Sequence, residues 1–468
     1  MEQQTDSVPQ NHKTYWRDAL LLIVLTLAVY YPSIRNGFVD FDDPRTILTN
    51  PLVTHFSWSS FVNIWADISA KPYAPPVFTA YSLIYTVWGA DATAFHRINI
   101  ILHALNAVLV YFIVLKLFKN RLPALVTGLL FALHPMHVDA VSWASALKDV
   151  LSGTFVFSCV LIYLRYTQTR KTYLLVVAVL LYLCALLSKP ISALLPYLLL
   201  IVDYQQRRKD NGQSLPEKAP FFVAAVLAGI LTLHAQTVAS SGIISTDLVF
   251  YDRSNAWAAI GFYIWKLIFP LKLSILYAAE YTAVWYWLMI GLSVAFVSTT
   301  VWMLMLSRDY GFGLAWFVLL STPILGFVPF GYIVHVAPFS NHYMYVADVG
   351  LFVVAALIVT DIHKRLVTRN ACFALYGVLL VVFSLYATKT AMRCTIWRNS
   401  ETLWRDSVRY NDTPNATIGY YRLADAFFQE GKYELARLNA EQALQLRPDN
   451  LEARDLLDTV QSKSKPLE

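Results

Sequence analysis

Charge is what this chain has least of. Asp, Glu, Lys and Arg make up only 15% of its 468 residues, against 57% hydrophobic residues and a mean hydropathy of +0.48. Such a composition excludes a soluble multidomain protein and predicts an integral, multi-pass membrane protein. Cysteine is scarce as well. Of the 4 cysteines, Cys159, Cys184 and Cys372 lie inside apolar runs and Cys394 follows one, which excludes a disulfide framework and any cysteine-based metal site with its usual spacing. No basic patch with interleaved aromatic residues is present, so nucleic acid is excluded as a partner. The net charge of +6 comes from short basic clusters between apolar runs, the arrangement that orients helices in membranes. A small-residue cleavage site is missing after the first apolar run, and that run therefore reads as a retained helix.

What the chain does have is a succession of apolar stretches of membrane-spanning length, about 20 residues where the ends do not snorkel. Spans are predicted near Leu20 to Ile34, Arg97 to Leu117, Pro123 to His134, Lys148 to Tyr166, Thr172 to Ser188, Ile191 to Asp203, Pro220 to Ala239, Ala283 to Leu306, Phe312 to Phe330, Val349 to Ile362 and Ala371 to Thr388. The fold class is all-α, with about eleven transmembrane helices. A cytoplasmic N-terminus (residues 1–18) puts Lys13 and Arg17, then Lys116, Lys119 and Arg121, then Arg165, Arg170 and Lys171, then Arg207, Arg208, Lys209 and Lys218, then Arg308, and finally Lys364, Arg365 and Arg369 on the inner side. The same threading places residues 40–43 and the C-terminus outside. Residues 256–279 are apolar but contain Lys266, Pro270 and Lys272, and counting them as a span would invert the basic loops that follow. They read as a membrane-dipping or hairpin element on the outer side.

The membrane part covers residues 19–390 and includes one long outer loop, residues 35–96, rich in Trp, Tyr, Phe and Pro. Loops of that length without function are uncommon. Its aromatic residues suit short amphipathic helices at the interface. At the start of the loop stands Asn36-Gly37-Phe38-Val39-Asp40-Phe41-Asp42-Asp43-Pro44. Neighbouring carboxylates repel, and partial burial disfavours their charged form, so the cluster needs a cation, a metal or a shared proton. An Asp-Pro turn in a hydrated loop is the plainer reading.

Residues 391–468 change abruptly to a soluble composition and read as an extracytoplasmic helical domain. Tyr420, Leu423, Ala424, Phe427, Gly431, Tyr433, Ala436, Ala443 and Pro448 fall at tetratricopeptide spacing, with Ala440 where a large aromatic is usual. Pro414 precedes Pro448 by one 34-residue period, which suggests a degenerate earlier repeat over Ser400 to Tyr410; Leu451 to Ser462 reads as a capping helix. One isolated repeat cannot bury its apolar faces, so the module should pack on the outer loops or on a partner.

Ionisable residues at a membrane edge are functional candidates by default. The stretch Leu133-His134-Pro135-Met136-His137-Val138-Asp139-Ala140-Val141 leads into Lys148-Asp149. His134, His137 and Asp139 are of metal-ligating types, but Pro135 breaks any common helical face, and polar substrate contacts or loop capping fit them better than a metal. The cofactor is left open by the sequence, a divalent metal being compatible with these residues but not predicted. Lys148 and Lys189 sit at outer helix ends, where snorkelling is the bland alternative. Together with the acids they suit displacement of a lipid-linked phosphate from a sugar, with Lys holding the leaving group and Asp taking the acceptor proton.

Taken in order, Asn36-Gly37-Phe38-Val39 with Asp42-Asp43, Phe95-His96-Arg97-Ile98-Asn99 with Leu102-His103, the His134 to Val141 run with Lys148-Asp149, Ser188-Lys189, and the C-terminal repeat resemble the transmembrane and tetratricopeptide-containing O-mannosyltransferases and their bacterial relatives. The resemblance implies a GT-C glycosyltransferase fold, a polyprenyl-phosphate-linked monosaccharide donor, and an acidic pair in the first outer loop as the catalytic element. Carried over, the pair is Asp42 and Asp43, with Asp40 an extra acid expected to be a bystander. Lys189, Lys148, Arg97 and His342 are expected near the donor phosphate, and His134, His137, Asp139, Asp149 and His96 near substrate. Asp139 stands for a more usual Glu. Asn341-His342 stands before Tyr343 where relatives commonly carry Glu-Arg, and the chain has about one and a half repeats where relatives carry many.

The expected function is transfer of a mannose-like hexose from a polyprenyl-phosphate donor to an extracytoplasmic acceptor by inverting displacement, the acceptor being a protein Ser or Thr hydroxyl or a glycan. The expected setting is the bacterial inner membrane or its equivalent, among membrane lipids. The competing reading is a non-catalytic membrane scaffold whose repeat recruits an envelope partner.

Overall fold

Long apolar stretches become helices here because a helix satisfies every backbone N–H and C=O within its own segment, and polar residues at the ends fix where each begins and stops. A computed structural model describes residues 12–68, 73–206, 215–240, 254–277, 283–325, 339–409 and 416–464. Among these residues the structure is helical, with no strand.

α1 (His12–Val29) ends in a short 3-10 turn, Tyr31–Arg35. The loop beyond it holds a single π turn, Pro44–Leu48, and three helices, α2 (Pro51–Thr54), α3 (Trp58–Ala66) and α4 (Pro75–Trp88). The short helices expected in residues 35–96 are therefore present. α3 starts on Ser57, which accepts from the Ser60 N–H, and leaves Trp58 78% exposed.

α5 (Ala92–Phe118) starts on Asp91, whose carboxylate accepts from Thr93 N–H, and stops where Lys119 turns left-handed at φ 51°. α6 (Arg121–Leu133) is broken by Pro135, and the chain continues through a 3-10 turn into α7 (Val138–Ser142), bent by 47° from α6. Then come α8 (Leu147–Thr169), α9 (Thr172–Ser188), α10 (Leu195–Gln205), α11 (Ala219–Ser240), α12 (Ser254–Ile268), α13 (Ala283–Leu306), α14 (Arg308–Ser321), α15 (Asp348–Arg365) and α16 (Arg369–Cys394).

Four stretches are long and apolar enough to cross a membrane, Ala92–Phe118, Ala144–Thr169, Ala283–Leu306 and Arg369–Arg398, or five if the bent pair around Pro135 is one span. The chain is an integral membrane protein. The predicted span Phe312 to Phe330 lies on α14 as far as Ser321; residues 326–330 fall outside the described residues, as do Arg207, Arg208, Lys209 and Pro414. Of residues 256–279, the first part is α12, packed along α13, and Leu273, Ser274, Ile275, Leu276 and Tyr277 are buried without regular structure; residues 278 and 279 lie outside the described set.

α5 is the central column, packed by α1, α6 and α8, while α8 packs on α9 and α14 on α15. The last contact depends on two glycines: a Cβ on Gly350 would lie 2.3 Å from the Gly313 carbonyl oxygen, so only hydrogen permits the approach. Two buried aspartates of the bundle are paired with cations. Asp18 takes two 2.7 Å bonds from Arg121 and one of 3.0 Å from Tyr111, tying α1 to α6 and α5, and Lys218 pairs with Asp203.

Past α16, helix α17 (Ser400–Val408) opens on a capping box between Asn399 and Thr402, and α18 (Thr417–Gln429), α19 (Tyr433–Leu446) and α20 (Leu451–Ser464) each pack on the one before. Gly431, at φ 73°, makes the turn between α18 and α19. Ala436, Ala440 and Ala443 are fully buried, so small side chains let the helices approach closely where looser packing at Ala440 is predicted from the sequence.

Candidate active site

The acidic stretch is fixed residue by residue, and its neighbours point in different directions. Asp43 is completely buried. Its Oδ1 accepts from the Ser145 N–H at 3.0 Å and the Ser145 Oγ–H at 2.5 Å, and its Oδ2 accepts from the Val39 N–H at 2.9 Å. Burial pushes its pKa up to about 6 in spite of those bonds, which stabilise the anion. Ser145 is held in turn by Thr46, 2.7 Å away, and its carbonyl accepts from the Tyr81 hydroxyl at 2.7 Å. Asp43 is thus an anchor whose lone pairs are taken up locally.

Asp42 differs. Its backbone carbonyl accepts from Thr46, but its carboxylate is partly exposed, 30%, and its nearest charge is the Lys148 ammonium at 3.5 Å. Asp40 turns the other way, its carboxylate 3.3 Å from Arg422 of α18.

Facing Asp42 is a cluster assembled from three distant parts of the chain. Lys148 opens α8, and its ammonium lies over the Trp143 ring at 4.9 Å. Lys189, at the α9 end, is 15% exposed, pairs with Asp149 and lies over the Tyr343 ring at 5.2 Å. Burial lowers the Lys189 pKa, with Asp149 opposing that and Lys148 adding to it. The second Asp149 oxygen, Oδ2, is buried with no hydrogen-bond partner among the described residues.

His342 lies beside Trp143 and Tyr343, with ring centroids 5.7 and 4.6 Å away, and Nδ1 is 2.7 Å from Ser340 Oγ. Burial and the two lysines hold its pKa well below the ordinary value. It is therefore a neutral hydrogen-bonding group where a cation is expected from the sequence. Burial, with Asp149 and Asp42 beside it, raises the Tyr343 hydroxyl, which stays protonated.

Of the residues predicted around the donor phosphate, Lys148, Lys189 and His342 are brought together with Asp42 and Asp149. Arg97 stays apart: it is exposed on the first turns of α5, and among the described residues no hydrogen bond or ion pair joins its side chain to the cluster. His96, one residue earlier, is buried with Nε2 3.3 Å from the Gly37 carbonyl, behind the acidic stretch.

The His134, His137 and Asp139 trio is split by the bend at Pro135. The Met136 N–H donates to His134 Nδ1 at 3.3 Å, which leaves Nε2 as the donor to the Leu267 carbonyl at 3.0 Å. His137 Nδ1 bonds the Phe131 carbonyl at 2.9 Å, and its Nε2 faces Asp348 at 3.5 Å, both residues fully buried. Asp139 accepts from Asn341 (2.7 Å), Trp397 (3.1 Å) and Arg393 (3.2 Å), and so braces the wall behind the cluster, where Trp397 stacks on Trp143 at 5.5 Å. All three are buried, and His134 also caps the 3-10 turn that follows it.

Ser145, Trp143 and Arg393 are the residues that sequence reasoning does not single out. Ser145 is 102 positions from the carboxylate it holds. Arg393 had a usable signal: a lone cation at the end of an apolar run, 6% exposed, must find a buried acid.

The geometry offers a partly exposed carboxylate beside one ammonium group, with a second ammonium held by Asp149, each ammonium on an aromatic face. Compared with known proteins, the chain matches no family model. It is 32% identical over 219 residues to Protein O-mannosyl-transferase TMTC1 of Mus musculus, covering 42% of this chain and 23% of that protein. It is 33% identical over 159 residues to Protein O-mannosyl-transferase tmtc2 of Xenopus laevis, covering 32% and 19%. With Protein O-mannosyl-transferase TMTC3 of Homo sapiens it shares 31% over 159 residues, covering 32% and 17%. The matched part is thus less than a quarter of the length of these curated relatives. Among solved structures, the archaeal oligosaccharyltransferase AglB from Archaeoglobus fulgidus, in complex with an inhibitory peptide and a dolichol-phosphate, is 14% identical with a TM-score of 0.41, covering 93% of this chain and 60% of that one.

Proposed function

We propose that this chain, which resembles the transmembrane and tetratricopeptide-containing O-mannosyltransferases, is itself a membrane glycosyltransferase that moves a mannose-like hexose from a polyprenyl-phosphate donor to a Ser or Thr hydroxyl of an extracytoplasmic protein. The observation that carries the reading is the division of labour in the acidic stretch: Asp43 is locked onto Ser145, and Asp42 is left 3.5 Å from Lys148 and open to solvent.

In the reading, the donor phosphate enters between Lys148 and Lys189 and replaces Asp42 as the partner of Lys148. Asp42 then takes the proton of the acceptor hydroxyl. The hydroxyl oxygen bonds to the anomeric carbon from the side opposite the phosphate, the carbon–oxygen bond to the phosphate breaks, and its electron pair stays on the lipid phosphate. The two ammonium groups stabilise that charge, His342 and Tyr343 supply hydrogen bonds, and Asp149 keeps Lys189 in place. Inversion follows from the single displacement. In the reading the membrane part over residues 19–390 is of GT-C type, as the resemblance implies, and the threading of charge and hydropathy supports about eleven spans, residues 1–18 inside, and a small tetratricopeptide-like module over residues 391–468 on the outer side with the site.

The test is to incubate the purified protein with a panel of polyprenyl-phosphate sugars and a Ser/Thr-containing peptide, with and without chelator, and to follow donor consumption. Asp42→Asn should lower transfer by about 10²- to 10⁴-fold, the usual worth of a general base, while donor binding persists. Undiminished transfer in that variant would sink the assignment of Asp42.

A further inference from the structure

The C-terminal helices do more than follow the membrane part. We infer that α17 and α18 clamp the acidic stretch and set the position of Asp42, with Asp40, Phe41, Trp404 and Arg422 as positioning residues. This rests on the reading of Asp42 as the base.

At the start of the stretch the Asn36 side chain donates to the Cys394 carbonyl and the Gly37 N–H to the Arg398 carbonyl, both at 2.9 Å. The Asp40 N–H donates to Ser400 Oγ at 2.8 Å, and its carboxylate faces Arg422. The Phe41 ring stands edge-on to Trp404, centroids 5.6 Å apart, and lies 5.0 Å from Trp143 on its other side. Trp404 is fully buried. Asp43, by contrast, is bonded to the membrane part, through Ser145. Asp42 therefore stands between a residue wedged against the C-terminal helix and a residue bolted to α7–α8, and its side chain is the one left to face Lys148. Two anchors on opposite sides define where a short turn lies; one anchor lets it swing.

Loosening the outer anchor should act on turnover and spare donor affinity, because both lysines belong to the membrane part. A misplacement of about 1 Å costs up to about 100-fold. Asp40→Ala, Arg422→Ala and Trp404→Ala are each expected to reduce kcat, Trp404→Ala by about 10- to 100-fold, with the donor KM within about twofold. The swap Asp40→Arg with Arg422→Asp should restore most of the kcat lost in Arg422→Ala, a rescue that loss of folding would not give. Hydrogen exchange of residues 36–43 supplies a readout independent of turnover and should quicken in Trp404→Ala. Should Trp404→Ala fail to accumulate, Trp404→Leu, which fills the site but removes the ring from Phe41, is measured by the same exchange and kcat readouts, with the same changes expected. Unchanged kcat and exchange in these variants, alongside an inactive Asp42→Asn, would overturn the clamp. Active Asp42→Asn together with faster exchange would overturn the catalytic reading and leave the clamp standing.

Discussion

At the scale of single residues, adjacency in sequence says little about equivalence in chemistry. Asp42 and Asp43 are neighbours of one type, yet one is partly exposed beside an ammonium and the other is sealed with three donors. Asp43 binds its proton more tightly in the fold, at about 6 against an ordinary 3.8, because burial disfavours its anion. Its contribution to stability is therefore complete below pH 3.8 and is lost as the pH rises through about 6. The shift of about two units is worth about 3 kcal/mol. Thermal unfolding of the solubilised protein between pH 4 and 7 should show a steeper loss of stability in the native chain than in Asp43→Asn, and equal slopes would contradict this account. That acids of this stretch matter is legible in the sequence, since three carboxylates at a membrane edge demand compensation. Which acid is buried is not, because that depends on Ser145, a hundred residues away in an otherwise unremarked Ala-Ser-Ala. Asp40 shows the same limit: it reads as a surplus acid and turns out to hold the Arg422 contact.

Elements were easier to read than sites, for a physical reason. Apolar runs of membrane length declare helices through composition alone, and the caps at Asp91, Asn120 and Asn399 are local signals. The break at Pro135 was legible; its consequence, that His134, His137 and Asp139 point to three different partners, was not, since it depends on α12, α15 and α16 arriving from later in the chain. Helix contacts also rest on residues that carry no hydropathy signal. α14 and α15 meet at Gly313 and Gly350, and a methyl on Gly350 would overlap the backbone of α14, 2.6 Å from the Phe317 nitrogen. Gly350→Ala should cost about 1–3 kcal/mol, as overpacking does, seen as a lower melting temperature in detergent. A variant as stable as the native chain would mean that the two helices can part without loss.

For the whole molecule, the distribution of Lys and Arg predicts which loops share a compartment, and the site lies among the loops assigned to the opposite face from Lys116, Arg170 and Lys364. Cysteine labelling checks this directly. In a chain freed of its own cysteines, an impermeant thiol reagent on intact cells should label Leu438→Cys, which lies on an exposed position of α19, and spare Arg170→Cys. The reverse pattern would overturn the threading. The positive-inside rule carries this much because it is a sum over many residues. A convergence such as that of Asp42, Lys148, Lys189 and His342 depends on how helices pack and leaves no trace in any local window.

The bonds between the acidic stretch and the C-terminal helices also set an order of assembly. Asn36 waits for Cys394, and Asp40 for Ser400 and Arg422, partners 358, 360 and 382 positions later. At about 5–20 residues per second, a ribosome spends about 20–80 s on that interval. Throughout it the first helices can enter the bilayer while the stretch that carries Asp42 has neither its outer backbone contacts nor its tryptophan wall. The stretch that carries Asp42 thus gains its outer contacts only after residues 394–422 are made, long after Lys148 and Lys189.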